Sequence, residues 1–135
     1  MPLLPVHHHL QREPGECLAA CAAMVLDYIG VSTPYDQLLK LLQTKSFGTL
    51  SSKIKLLDVL GVDVLYKQGT LNELREHLEN NRPPIAFVET RELPYWNRIT
   101  KHAVVVVGLD DEKIFLNDPA FPNSPIPISI GDFDL

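Results

Sequence analysis

Gln11-Arg12-Glu13-Pro14-Gly15-Glu16-Cys17-Leu18-Ala19-Ala20-Cys21, continuing through Ala22-Ala23-Met24-Val25-Leu26-Asp27-Tyr28-Ile29-Gly30, is the stretch on which the reading of this chain turns. Leu18, Cys21, Ala22, Val25 and Ile29 recur at helical spacing, and Gly30 supplies the stop. Cys17 therefore stands in or just before the first turn, where unpaired amides and the positive end of the helix dipole favour a thiolate. The plainer reading is a small buried hydrophobe, the commoner fate of a single cysteine. Cys21 lies one turn deeper without that advantage and reads as core. On one helix face the two β-carbons are spaced by roughly 5–6 Å, beyond the ~3.8 Å of a disulfide. Both are expected to be free thiols in a reducing compartment.

Upstream, Pro2, Pro5, Pro14 and the run His7-His8-His9 make residues 1–14 extended or looped. Successive side chains of an extended segment alternate in direction, so at most two of these histidines share one ion, and no carboxylate or cysteine pair completes a metal set. They read as a solvated approach to Gln11. Downstream, Thr33-Pro34 predicts an N-cap with proline at the first helical position, opening a helix with Leu38, Leu39 and Leu42 inward and broken at Gly48. Ser51 or Ser52 opens a third helix with Ile54, Leu57 and Leu60 inward, closed by Gly61. Val62 to Tyr66 is expected to be a strand. Thr70 with Glu73 forms a capping box ahead of Leu71, Leu74 and Leu78. Pro83-Pro84 ends that helix, and Ile85 to Val88 reads as a buried strand. Residues 90–101 read as irregular. Strands follow at His102–Leu109, Lys113–Leu116 and Ile126–Ile130.

Helices come first and most strands later, which predicts an α+β fold in a single domain over residues 1–135. That length suits one core. Hydrophobic residues at 45%, charged residues at 21% and a formal charge of −5 fit a globular chain without a basic nucleic-acid surface. No apolar run approaches the ~18 residues of a membrane span, and residues 1–6 lack a basic leader. A cytoplasmic protein is expected.

The hairpin between the later strands brings a second chemical group into view. If Leu109 pairs with Glu112 across a two-residue Asp110-Asp111 turn, His102 falls opposite Pro119 and Asp118 one residue away. A carboxylate there is placed to reach the imidazole Nδ1, fixing its tautomer. Alone, His102 is a core or edge histidine and Asn117-Asp118-Pro119 is ordinary turn chemistry; a nearby thiol gives the combination its meaning. Tyr95 and Trp96, in the loop before His102, are either core residues or a wall of a substrate cleft. Cys17, Cys21 and His102 together also form a candidate zinc set.

The segment Gln11–Gly30, with His102-Ala103-Val104-Val105-Val106-Val107-Gly108 and Asp118-Pro119, resembles the bacteriocin-processing, or double-glycine, peptidases of the papain-like cysteine peptidases. The likeness spans about residues 11–119 in the family's order. It implies a papain-like fold, with N-terminal helices packed on a mostly antiparallel sheet and a cleft between them. It further implies Cys17 as nucleophile, His102 as general base, Asp118 as its orienting partner and Gln11 as oxyanion donor. The activity implied is hydrolysis of a peptide or other amide, without a cofactor. The family's glycine after the nucleophile is Leu18 here, which places a bulky side chain where substrate approaches, and its aspartate before the cysteine is Glu16. Relatives tend to continue past the Phe133–Leu135 end, and commonly precede an export transporter. A non-catalytic peptide- or leader-binding docking module and an acyl transferase using the same thiol stay open as alternatives.

Overall fold

A computed structural model describes residues 3–133; the expectations that touch Met1, Pro2, Asp134 and Leu135 lie outside the described residues. Three α-helices precede a four-stranded sheet: α1 Cys17–Tyr28, α2 Tyr35–Leu41, α3 Leu71–Glu79, then β1 Ile85–Glu89, β2 Lys101–Leu109, β3 Lys113–Asn117 and β4 Ile126–Ser129. The strands are antiparallel in the order β1-β2-β3-β4. This is the expected α+β arrangement.

The sheet is covered on both faces, which explains the unbroken valine run of β2. Ala103, Val105 and Val107 pack with Leu18, Cys21, Met24, Leu38 and Ile54 on one side. Val104, Val106 and Leu109 pack with Leu74, Leu78, Leu116 and Ile128 on the other. Helix α1 is apolar nearly all round, with Leu18 to Ala22, Met24 and Leu26 buried. The narrower stripe expected through Val25 and Ile29 is corrected: Val25 is half-buried and Ile29 is exposed.

Local chemistry sets several boundaries. Thr70 Oγ1 accepts from the Glu73 amide at 3.2 Å, so the α3 capping box forms as expected. Gly30 and Gly61 both take φ +84°, ending their helices in the left-handed region. The Ser51–Leu60 segment is a 3₁₀ helix with Ile54 and Leu57 buried.

Three expectations are corrected. Thr33 does not cap α2: Pro34 is its N-cap, without a side-chain bond, and its carbonyl receives the Gln37 and Leu38 amides. Val62 to Tyr66 is not a strand, because no neighbouring strand pairs with it; Val62 and Val64 pack on the helical cluster while Leu65 stays exposed. The β2–β3 turn is Asp111-Glu112, one residue later than expected. Asp110 N donates to Lys113 O at 2.9 Å, and Asp110 Oδ1 receives the Glu112 and Lys113 amides.

The paired register is thus Leu109 with Ile114, two residues away from the expected one. A bulge between Val106 and Gly108 takes one residue back, giving Val105 opposite Asn117. The Val107 carbonyl at this bulge accepts the Leu4 amide at 2.8 Å. From there the N-terminal segment runs along the end of β3: Asn117 Nδ2 donates to Val6 O at 3.1 Å, and Gln11 N donates to Pro119 O at 2.8 Å.

Candidate active site

The N-terminal segment, the start of α1, the start of β2 and the end of β3 converge on one buried polar cluster. His102 sits near the start of β2 at 6% exposure, and Asp118, one residue past β3, is wholly buried. The imidazole Nε2 and Asp118 Oδ1 are 2.7 Å apart. The expected ring nitrogen is corrected: the carboxylate holds Nε2 rather than Nδ1, and Nδ1 is left as the nitrogen available to a thiol.

Asp118 is saturated with donors. Oδ1 also accepts from the Ala120 amide at 2.9 Å, and Oδ2 accepts from Tyr95 OH at 2.8 Å and Trp96 Nε1 at 3.0 Å. Burial works to raise its pKa, but the bonds from His102, Trp96 and Ala120 hold the carboxyl below its ordinary value. On His102 burial opposes the charged ring, yet Asp118 and then Cys17 outweigh it and push the pKa up to about 9. The Tyr95 hydroxyl is raised by burial and by the facing carboxylate, so it stays a donor.

Tyr95 and Trp96 therefore form part of the carboxylate's cage. The Trp96 ring stands 4.7 Å from the His102 ring at 60°, and both aromatics pack edge-on against Phe121. Leu18 is corrected in place: at 2% exposure it points into the helix–sheet core rather than toward an open substrate path.

Cys17 opens α1 as a half-buried free thiol, whereas Cys21 is fully buried in the core. Burial, then the nearby Cys17 and Asp118, push the Cys21 thiol well above its ordinary pKa. A 3₁₀ turn, Pro14–Glu16, leads into Cys17. Gly15 in that turn is required by close approach: a Cβ would come within 2.7 Å of Ser46 O and 2.9 Å of Gly48 N. Gln11 is brought to the same end by its bond to Pro119. Its Nε2 donates to Pro14 O at 3.3 Å, and its buried Oε1 has no partner.

Several participants carried no sequence signal of their role. His8 Nε2 lies 2.7 Å from Asp118 O, and His9 stacks on Tyr35 at 4.9 Å. A cavity of about 320 Å³ is lined by His7, His8, His9, Met24, Asp27 and Tyr35; Cys17 and His102 are not in its wall. Among the described residues no cluster of three or more His, Cys, Asp or Glu is arranged to hold a metal ion, and no helix is long and apolar enough to cross a membrane.

Helices packed on an antiparallel sheet, with thiol, imidazole and carboxylate gathered at the helix start and sheet end, define a papain-like α+β fold. The chain belongs to the Peptidase C39 family, whose sequence profile matches residues 6–134. Among solved structures, a protein from Bacillus anthracis described as C39-like superposes with a TM-score of 0.76 at 16% identity, over 97% of this chain and 88% of that one. A double-glycine motif protease from an AMS/PCAT transporter, in complex with the leader peptide, gives 0.62 at 20% identity, over 98% of this chain and 85% of that one. No curated protein matches the sequence.

Proposed function

We propose that this chain is a cysteine peptidase in which Cys17 is the nucleophile, His102 the general base, Asp118 its orienting partner and Gln11 an oxyanion donor. The observation that carries this reading is the buried 2.7 Å contact between His102 Nε2 and Asp118 Oδ1, which leaves Nδ1 for the thiol. With a pKa of about 9 the ring is an imidazolium at neutral pH, paired with the carboxylate and ready to give a proton.

The Cys17 sulfur attacks the peptide carbonyl, forming a C–S bond and an oxyanion. One Gln11 Nε2 hydrogen is spent on Pro14, leaving the other, with the Cys17 backbone N–H, to receive that charge. Collapse breaks the C–N bond as the imidazolium protonates the leaving amine. Water, deprotonated by His102, then hydrolyses the thioester and restores the thiol. Asp118 stays ionised throughout, held by its four donors.

The substrate we propose is a peptide or protein segment, and the leader complex of the transporter protease makes peptides carrying a double-glycine motif the first to try. Free thiols suit a reducing compartment, so we place the chain in the cytoplasm. A non-catalytic peptide-docking module has one observation in its favour: the Gln11 amide is turned toward Pro14. Iodoacetamide mapping at near-neutral pH separates the two. A peptidase labels Cys17 far faster than Cys21; equally slow labelling of both sinks the hydrolase.

A further inference from the structure

We propose that Tyr35, on α2, is a positioning residue for the nucleophile that acts through Glu16; this rests on the reading of Cys17 as the reactive thiol. Glu16 immediately precedes Cys17, and its side chain is only 14% exposed. No side chain caps either the Pro14–Glu16 turn or α1, so the aim of this junction is set by other contacts. One is the close packing of Gly15. The other is a clamp on the Glu16 carboxylate.

Tyr35 OH donates to Glu16 Oε1 at 2.9 Å, and Arg12 Nε lies 3.6 Å from the same oxygen. The Tyr35 ring is itself fixed, stacked on His9 at 4.9 Å and 18°, with the Arg12 guanidinium 4.4 Å from its centroid. Arg12 is anchored in turn by Asp36 Oδ1 at 2.7 Å. The N-terminal segment, the Pro14–Glu16 turn and α2 are stitched together at one hydroxyl. Burial and the facing carboxylate raise the Tyr35 pKa, so this hydroxyl remains a donor.

The clamp has a positional consequence. Glu16 is the residue before Cys17, and the Cys17 thiol is within hydrogen-bonding reach of His102. Held by Tyr35 and Arg12, the Glu16 charge is turned onto partners, and the peptide carrying Cys17 is fixed with it.

Tyr35→Phe keeps the ring and its stacks while removing only the donor. In the full chain, the rate of Cys17 alkylation by iodoacetamide at near-neutral pH is expected to fall on the order of tenfold, as for loss of a hydrogen bond to a charged group. The melting temperature should fall by only a few degrees, as for one hydrogen bond, and Cys21 should remain protected. Repeating the substitution in a Glu16→Gln background tests the route: with no charge to hold, Tyr35→Phe should change the rate less than about twofold. An unchanged rate in the single variant, or an equal loss in both backgrounds, overturns the inference while leaving the nucleophile reading intact. Slow labelling of Cys17 in the unaltered chain sinks both.

Discussion

The two halves of the site are built differently. The His102–Asp118 half is buried, its carboxylate receives four donors, and aromatic rings close over it. The Cys17–Gln11 half is half-buried, lacks a side-chain helix cap, and leaves Gln11 Oε1 without a partner. On the proposed reading, this first half is the proton-handling side, and its hydrogen bonds are complete before substrate arrives. On the same reading the second half is the carbonyl-handling side, and it is the one left with an unpartnered polar atom. Stability and catalysis should therefore separate along this line: changes in the first half cost folding energy, and changes in the second cost rate.

Cys17→Ser is the sharpest way to break that contrast. Hydrolysis should fall by on the order of 10⁵-fold, while folding stability shifts within about 0.5 kcal/mol because the thiol is not core. A large loss of stability in chemical denaturation would contradict the division. Asp118→Ala is the mirror case. It orphans the Tyr95, Trp96 and Ala120 donors and leaves His102 unpaired, so unfolding free energy should drop by about 3–5 kcal/mol alongside the loss of activity. Gln11→Ala belongs with the open half: the barrier should rise by about 2.7–4 kcal/mol, seen in kcat more than KM, with the melting temperature nearly unchanged.

The same line divides what could be read from the chain. Elements declared by local chemistry were legible: the Thr70–Glu73 capping box, the Gly30 and Gly61 stops, and the β2–β3 ribbon that unites His102 with Asp118. Pairing-dependent features were not. Val62 to Tyr66 alternates imperfectly, as some strands do, but a sequence pattern cannot supply a partner. Four identical valines hide the bulge near Val107, and that bulge returned one of the two residues lost to a shifted turn, so an inexact register still brought the right residues together. The choice of Nε2 over Nδ1 depends on where the ring turns. Tyr95 and Trp96 spend their polar tips on Asp118, which only the folded loop reveals. Leu18 looked like an obstacle at the nucleophile because sequence adjacency says nothing of direction on a helix that is buried nearly all round.

The paired charges of the closed half carry a pH signature. His102 has its pKa raised above the ordinary 6.5, so its contribution to stability is fully present below 6.5 and is lost as pH rises through about 9. Asp118 is lowered below 3.8, so its contribution is present above 3.8 and is lost as pH falls through the lowered value. Urea denaturation should show a plateau between these limits and a decline of at most about 3 kcal/mol on the alkaline side. A flat alkaline profile would mean that His102 is not held charged by Asp118. The Asp118→Ala variant should show a smaller decline, since Cys17 alone then supports the charged ring.

Tyr95→Phe makes the gentlest cut into the closed half. It removes one of two donors to Asp118 Oδ2, keeps the ring against Phe121, and leaves the Nε2–Oδ1 contact in place. A hydrogen bond to a charged group contributes about 1.5–3 kcal/mol, and Trp96 Nε1 remains to hold the oxygen, so the lower end is expected in denaturation. With one donor gone the carboxylate charge is less compensated, which strengthens its pull on the imidazolium. The alkaline limit of stability should therefore move slightly upward even as total stability falls. A structural role confined to packing would lower stability without moving that limit, and a role in binding substrate would raise KM with folding untouched. Of these outcomes, only the paired change makes Tyr95 a donor that shares Asp118 with His102 and tempers the carboxylate's pull on the ring.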